Sequence, residues 1–277
     1  MNKRGFTLVE LLVVISIIAL MLAILMPSLQ KAREQGRSVV CLGNIRSLST
    51  AWMLYSEDNR GQLVGSWDGL QRSTPGNPKS ATIDWVDYPQ YANGKFVMPL
   101  YSGSTVEQEQ NGIKKGRLWA YLTNIAVYHC PADVRSSKSA ESNPAKSGGY
   151  RSYSTSGAMN GDWVLPKYAA LFKKTVDIKG PSDKMVFIEM MDRRGVNQGP
   201  FWVEPGDTTY SVWINTPGIY HNKITGIGFA DGHSEMRRWV SATTVKLCSQ
   251  QASGSASFSR DTKEDLLYLH KIFGFKE

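Results

Sequence analysis

The strongest pattern in the chain is an apolar run near its start. Between residues 6 and 26 the one strongly polar side chain is Glu10. A helix over this run would be roughly 31 Å long, which is enough to cross the hydrocarbon core of a bilayer. The run is also longer than the ~7–15 apolar residues of a cleavable secretory signal. We therefore predict a membrane-spanning helix over residues 6–26.

The helical pattern continues beyond the membrane segment. After a polar stretch, apolar residues recur every three or four positions, as on a helix face that packs against a sheet: Leu42, Ile45, Leu48, Trp52 and Tyr55. The sequence Asp58-Asn59-Arg60-Gly61 is a helix stop. We predict that the helix continues over residues 27–58, with a kink at Pro27, where the proline ring removes a backbone donor.

Residues 59–277 have the pattern of one globular α+β domain. Residues 61–115 predict loops with a few short strands, for example at 62–64 and 95–98, and residues 136–149 predict an exposed loop. Clearer strands are predicted at 150–156, 185–188 and 201–203. Extended runs at 225–230 and 233–240 flank Asp231-Gly232, which predicts a hairpin with a two-residue turn. A final helix is predicted over 261–273, with Thr262 and Asp265 as a capping box and one apolar face.

These elements predict an α+β fold in which a long N-terminal helix packs on an antiparallel β-sheet domain with large loop insertions. The chain has 277 residues, 42% of them apolar, so the part outside the membrane is large enough for one substantial core. The net charge of +8 favours mild attraction to anionic surfaces such as phospholipid, nucleic acid or acidic polysaccharide. Lys3 and Arg4 flank the apolar run, which predicts a cytoplasmic N-terminus and a domain across the membrane.

Glu10 is the anomaly in the membrane segment. A carboxylate in a spanning helix costs about 2.5–3.5 kcal/mol at the centre and less near an end, so it requires a partner. In one explanation Glu10 snorkels to the nearby cytoplasmic edge or pairs locally with Lys3 or Arg4, and in the other its partner is a positive charge on another subunit.

The start of the chain resembles a known family. Lys3-Arg4-Gly5 followed by Phe6-Thr7-Leu8-Val9-Glu10 is similar to the class III leader and helix start of type IV pilins and type II secretion pseudopilins. The resemblance implies a leader peptide over residues 1–5, cleaved after Gly5 by a prepilin peptidase, and N-methylation of Phe6. It also implies that Glu10 pairs with the N-terminal amine of a neighbouring subunit, and that the fold is the lollipop shape of pilins.

A second resemblance lies near the other end. His221 and Asp231-Gly232 enclose nine residues, like the H-X9-DG motif at 221–232 in pilin-like proteins with large C-terminal domains. Other local features are similar to the same group: residues 41–44, Cys130-Pro131 with Asp133, residues 153–160, and Asp265-Leu266 with Tyr268-Leu269. This resemblance implies an architecture and a secretion or pilus context, but no reaction.

The motif has two physical interpretations. In the structural one, Asp231-Gly232 supplies positive φ angles at the turn and His221 hydrogen-bonds a strand or the turn. In the other, His221, Asp231 and His233, with Glu235, are ligands of a zinc or iron ion.

Two further sites are weighed against simpler explanations. Cys41 on the helix and Cys130 on the domain are candidates for a disulfide, with Cys248 unpaired, or are buried thiols. Five loop acids are calcium candidates or merely solvated: Asp162, Asp177, Asp192, Glu204 and Asp207. No other cofactor is expected.

The sequence lacks a nucleophile elbow, a phosphate-binding loop and an HExxH motif. We therefore predict a non-enzymatic pilin-like subunit in the inner membrane, assembled with other pilin-like subunits by type II secretion or pilus machinery. The alternatives are a membrane-anchored module that binds polysaccharide, nucleic acid or a secreted protein, and a tethered metalloenzyme using His221 and His233. The surface ligand is not predicted.

Overall fold

The structure, a computed structural model, describes residues 7–66, 84–97, 104–135, 149–160, 172–191, 199–204, 212–213, 215–250, 256–257 and 263–274. Helix α1 runs without interruption over Leu8–Asp58. Two residues in the left-handed region follow its end, Arg60 with φ 56° and Gly61 with φ 76°. The predicted long helix and its stop are confirmed. Pro27 lies inside the continuous helix, and the kink there remains a prediction.

Burial divides α1 into two parts. The apolar side chains from Leu8 to Leu29 are exposed. The first buried residue of α1 is Cys41, and Ile45, Leu48 and Trp52 continue the buried face. This confirms the predicted stripe in its centre, although Leu42 and Tyr55 are only partly buried. The second part of α1 is therefore a core element of the domain, whereas the first part projects from it.

The remaining elements form a mixed domain. Its helices are α2 (Val106–Lys115), α3 (Ala242–Gln250) and α4 (Lys263–Phe273). Its strands are β1 (Tyr153–Thr155), β2 (Met185–Met191), β3 (Val203–Glu204), β4 (Val212–Trp213), β5 (Thr216–Pro217), β6 (Ile224–Phe229), β7 (Ser234–Arg238) and β8 (Ala256–Ser257). Short 3-10 turns lie at Arg117–Ala120, Ile125–Tyr128, Thr175–Asp177 and Pro181–Asp183.

The larger sheet has the order β1-β2-β6-β7, with β5 also paired to β2, and the smaller has the order β3-β4-β8. All the strand pairs in the described residues are antiparallel. Strand β2 is central and is buried on both faces from Met185 to Met190. Helix α1 lies against β6, β7 and β2. The predicted α+β architecture is therefore confirmed.

The hairpin is confirmed, but its turn is longer than predicted. Strands β6 and β7 pair with Gly228 opposite Ser234. The Phe229 N–H then donates to the His233 carbonyl at 2.9 Å, so the loop has three residues, Ala230 to Gly232. Gly232 has φ 88°, and Asp231 does not have a positive φ. Such a loop needs glycine at one position only, whereas the predicted two-residue turn needs positive φ at both.

The prediction of loops and strands over residues 61–115 was wrong in part. Helix α2 occupies Val106–Lys115, and the predicted strands at 62–64 and 95–98 form only single bridges, Gln62 to Lys174 and Phe96 to Gln90. The helix was missed because only Val106 and Ile113 in it are large apolar residues, which is too few to show a helical period. Its signal is the capping box of Thr105 and Gln108, which is present in the structure.

The two C-terminal helices complete the core. Helix α4 buries the predicted face, Leu266, Leu269, Ile272 and Phe273. The predicted capping residue Thr262 lies outside the described residues, as does the loop predicted at 136–149 except for its last residue. Helix α3, which was not predicted, buries Thr244 and Cys248.

Candidate functional site

The first candidate site is the projecting part of α1. Its apolar side chains remain exposed within the chain, for example Leu8 at 79% and Leu20 at 65%. It is the one described helix that is long and apolar enough to cross a membrane. A contiguous apolar surface of this size is not stable in water, so lipid or other protein chains must cover it. This part of α1 is therefore suited to span a membrane or to pack against other protein chains.

Glu10 lies at the start of this surface. Within the chain its carboxylate accepts hydrogen bonds from the Thr7 N–H at 2.9 Å and the Thr7 hydroxyl at 2.8 Å, and its own N–H donates to Thr7 Oγ1 at 3.2 Å. This capping box satisfies backbone donors of the first turn. Both bonds to the carboxylate use Oε2, so in the described part of the chain Oε1 is without a partner. Gly5 and Phe6 lie outside the described residues.

The second candidate site is a buried cluster where α1 meets the domain. It combines Cys41 from α1, Cys130 after the second 3-10 turn, Glu189 from β2, and His221 from the loop before β6. One ligand atom from each of the four lies within 4.8 Å of the others. The four residues are at most 1% exposed. The fold thus brings together four chemically reactive side chains that are far apart in the sequence.

The contacts within this cluster are short. The Cys41 thiol donates to Glu189 Oε1 at 2.7 Å, and Cys130 Sγ lies 3.1 Å from His221 Nε2. His221 Nε2 also lies 3.4 Å from Glu189 Oε1. Sulfur is larger than oxygen or nitrogen, yet the thiol–carboxylate distance is at the short end of the range for N–H···O bonds. The four groups therefore converge on one point.

A second layer of groups orients the cluster. His221 Nδ1 lies 3.0 Å from the Glu34 carboxylate, and the Tyr153 hydroxyl lies 3.0 Å from Cys41 Sγ. The Gly226 N–H donates to Glu189 Oε2 at 2.7 Å, which leaves Oε1 directed at the thiol. Because His221, Cys41 and Glu189 each have a second partner outside the cluster, their side chains are oriented by the fold and do not rotate freely.

The protein environment shifts the titration of the cluster. Burial raises the pKa of the Cys41 thiol well above its usual value, and Cys130 and Glu189 raise it further. Burial opposes charge on His221, but its interactions with Cys130 and Glu189 outweigh that effect and raise the pKa of His221 to about 10. Without a metal ion, the raised pKa values favour a neutral thiol at Cys41 and a charged ring at His221.

The predicted disulfide is not formed in the structure. Cys41 and Cys130 are buried free thiols, as is Cys248. The prediction correctly placed the first two side by side, because the helix stripe and the Cys130 loop meet in the core. It did not anticipate that a carboxylate and an imidazole also reach the two sulfurs.

The predicted metal ligands His221, Asp231 and His233 are not brought together. In the described part of the chain, the group of side chains close enough to share an ion contains His221 but neither Asp231 nor His233. His233 instead lies 2.6 Å from Asp231 and stacks on Phe229. The physical reason is strand β6, whose six residues span roughly 20 Å between His221 and the turn. The prediction that His221 bonds a strand or the turn was also incomplete, because its partners include the helix residue Glu34.

Two residues of the site, one in the cluster and one behind it, were missed by sequence reasoning. Glu189 lies inside an apolar strand, where a charged residue is rare unless paired, and that isolation was the available signal. Glu34 precedes Cys41 by seven residues, or about two helical turns, so both lie on one face of α1. The sequence identifies this face as the one that meets the domain only through the apolar stripe that follows it on α1.

Among the described residues, the acids predicted as calcium ligands do not come together to form a site. Asp177 accepts hydrogen bonds from the backbone N–H groups of Lys173 and Lys174 and so caps a 3-10 turn. Glu204 lies in β3, and the other three candidates, Asp162, Asp192 and Asp207, lie outside the described residues.

Comparison with known proteins adds an independent result. Residues 1–26 match the family model of the prokaryotic N-terminal methylation motif. The chain is 30% identical over 126 residues to the type IV wide pilus major component PilA4 of Thermus thermophilus, covering 46% of this chain and 92% of that protein. It is 29% identical over 80 residues to the type II secretion system core protein G of Pseudomonas aeruginosa, covering 28% of this chain and 56% of that protein.

A third relative is the competence protein ComGC of Halalkalibacterium halodurans, 29% identical over 94 residues that cover 34% of this chain and 81% of that protein. No solved structure matches the chain. The fold and the exposed helix define a membrane-anchored structural subunit with its sheet domain outside the membrane. With the methylation motif and these relatives, the chain belongs to the type IV pilin and pseudopilin family, as a pilin-like structural subunit.

Proposed function

We propose that the chain is a precursor that prepilin peptidase cleaves after Gly5, that Phe6 is then N-methylated, and that α1 packs into a fibre with other pilin-like subunits. The observation that carries this proposal is the exposed apolar surface of α1, with the Glu10 carboxylate at its start. The methylation motif over residues 1–26 and the pilus and secretion relatives support it. Lys3 and Arg4 favour a cytoplasmic N-terminus in the inner membrane.

In this proposal Glu10 has two successive partners. In the single chain, Thr7 occupies Oε2. On assembly, the Phe6 amine of a neighbouring subunit pairs with the carboxylate, which compensates a charge that lipid would otherwise destabilise. The contact also fixes the axial register between helices, because one charge pair per subunit selects one stagger.

The proposed role is structural and not enzymatic. The relatives support this, since one is named as a major pilus component and another as a core secretion protein. The domain would decorate the fibre surface, in either type II secretion or pilus machinery. Retention on acidic polymers that is lost at high salt would favour a binding role of the basic domain in addition.

Gly5→Ala is expected to block cleavage, because a Cβ at the cut site obstructs close approach of the peptidase to the backbone. The measurement is the intact mass and N-terminal sequence of the membrane-bound chain. The wild type should begin at Phe6 and the variant at Met1. Gly36→Ala is the matched control, because a Cβ at Gly36 meets nothing within 4 Å. A wild-type chain that keeps residues 1–5 contradicts the proposal.

A further inference from the structure

We propose that Cys41, Cys130, Glu189 and His221 hold one zinc ion that joins helix α1 to the sheet domain. The four side chains supply two sulfurs, one nitrogen and one carboxylate oxygen, and they come from four separate elements. Thiolate and imidazole ligands select zinc over calcium or magnesium, which prefer oxygen. Binding Zn²⁺ displaces the protons of both thiols and of His221 Nε2 to solvent, since the ligand forms are thiolate and neutral imidazole.

The observed separations fit a tetrahedral ion. Zinc bonds of about 2.0–2.3 Å place neighbouring ligand atoms about 3.3–3.8 Å apart. The four ligand atoms here lie within 4.8 Å of one another, and the measured pairs are 2.7, 3.1 and 3.4 Å. The 2.7 and 3.1 Å pairs must open by about 0.2–1 Å to admit an ion at the centre.

The groups behind the ligands are those that a zinc site needs. Ligand histidines usually donate their second ring N–H to a carboxylate, which fixes the tautomer. Here Glu34 accepts from His221 Nδ1 at 3.0 Å, so Nε2 is directed at the cluster. Gly226 N–H holds the other oxygen of Glu189 at 2.7 Å, and the Tyr153 hydroxyl lies 3.0 Å from Cys41 Sγ.

A disulfide explains less of this arrangement. It would account for the two sulfurs but not for the convergence of a carboxylate and an imidazole on them. A purely protonated network would account for the carboxylates around His221, but not for two thiols at the same point. One divalent ion uses all four groups and offsets two of the three negative charges of the two thiolates and the carboxylate.

The proposed site is structural. All four ligands come from the protein and are buried, so no position is open for substrate, unlike catalytic zinc sites with three protein ligands. Cys41 is also the first buried residue of α1. The ion would therefore secure the edge of the helix–domain interface that lies nearest the membrane segment, where fibre forces pass from helix to domain.

The test is metal analysis of the full chain, extracted from its native membrane in detergent without reductant or chelator. We expect about one zinc per chain in the wild type. Cys130→Ser should lose most of it, whereas Cys248→Ser should retain it, because Cys248 is a buried thiol outside the cluster. Cobalt added to the chelator-stripped wild type should give the absorption of a tetrahedral thiolate complex, a result that does not depend on any variant folding.

Glu34→Gln separates this site from adventitious binding. The neutral amide of the variant cannot carry the charge that strengthens His221 as a ligand, so zinc affinity should fall about 10- to 100-fold in a folded chain.

Chelator treatment of the wild type should lower the Tm by about 5 °C or more, with recovery on adding zinc but not magnesium. Either of two results overturns the proposal: a metal-free wild type that also fails to bind cobalt, or a Cys41–Cys130 disulfide, seen as a mass lower by two hydrogens.

Discussion

Glu10→Ala is expected to be cleaved and methylated normally and yet to be excluded from fibres. Removal of the carboxylate leaves the neighbouring Phe6 amine, in a low-dielectric helix bundle, without its counter-charge. A charge-assisted hydrogen bond is worth about 1.5–3 kcal/mol, so each subunit contact should weaken at least about tenfold. Because a fibre repeats the contact at every subunit, incorporation into the filament fraction should be almost lost. The measurement is the ratio of filament to membrane signal.

Two further variants separate charge from shape in this prediction. Glu10→Gln keeps an acceptor for Thr7 but not the charge, so it should also fail to assemble. Ser16→Ala is the matched control on the same exposed surface, because within the described ranges the Ser16 hydroxyl bonds locally, to the Val13 carbonyl at 2.7 Å. Assembly of Glu10→Gln at the wild-type level would show that charge pairing does not drive the contact.

Gly228→Val is expected to destabilise the domain strongly. By strand propensity alone, valine in β6 should be favourable by up to about 1 kcal/mol. In the structure, however, a Cβ at Gly228 would lie 2.5 Å from Ser49 Oγ and 2.6 Å from Ile45 Cγ2, both on α1. The helix must move away from the sheet, and overpacking of this kind costs about 1–3 kcal/mol. Thermal unfolding of the full chain in detergent measures the change.

Gly43→Ala is the control on the exposed face of the same helix. A Cβ there meets nothing within 4 Å, and Gly43 lies inside α1. Replacing glycine by alanine in a helix should stabilise the chain by about 0.5–1 kcal/mol. We therefore predict that Gly228→Val lowers the thermal stability of the chain and that Gly43→Ala raises it. A Gly228→Val chain as stable as the wild type would refute the close helix–sheet packing.

The long helix was predictable because three strong signals agree along it. The apolar run, the stripe centred on Ile45, Leu48 and Trp52, and the stop at Asn59 all follow from periodicity and turn chemistry. Helix α2 was not predictable in this way, because the face that it buries contains a glutamate and a glycine and only one large apolar residue, Ile113. The number of residues in the hairpin loop depends on strand register, which sequence around Asp231-Gly232 does not specify.

The site illustrates a different limit. The spacing in the sequence suggests that His221 and Asp231-Gly232 act together. In the structure, however, strand β6 lies between them, so the two parts of the motif are at opposite ends of that strand. His221 contacts the helix and the core, whereas Asp231 and Gly232 form the turn. The partners of His221 come from positions 34, 130 and 189, and only the packing of α1 on the sheet brings these together. Such long-range convergence cannot be deduced from one sequence.

The most direct test of the central claim is N-terminal analysis of the chain in purified filaments. Filaments should be sheared or gently released from native cells, and the chain in them identified by intact mass and by sequencing from its first residue. The account predicts that the filament-bound chain begins at N-methylated Phe6. Absence of the chain from every filament fraction, with residues 1–5 still attached in the membrane, would contradict it and define a simple membrane anchor.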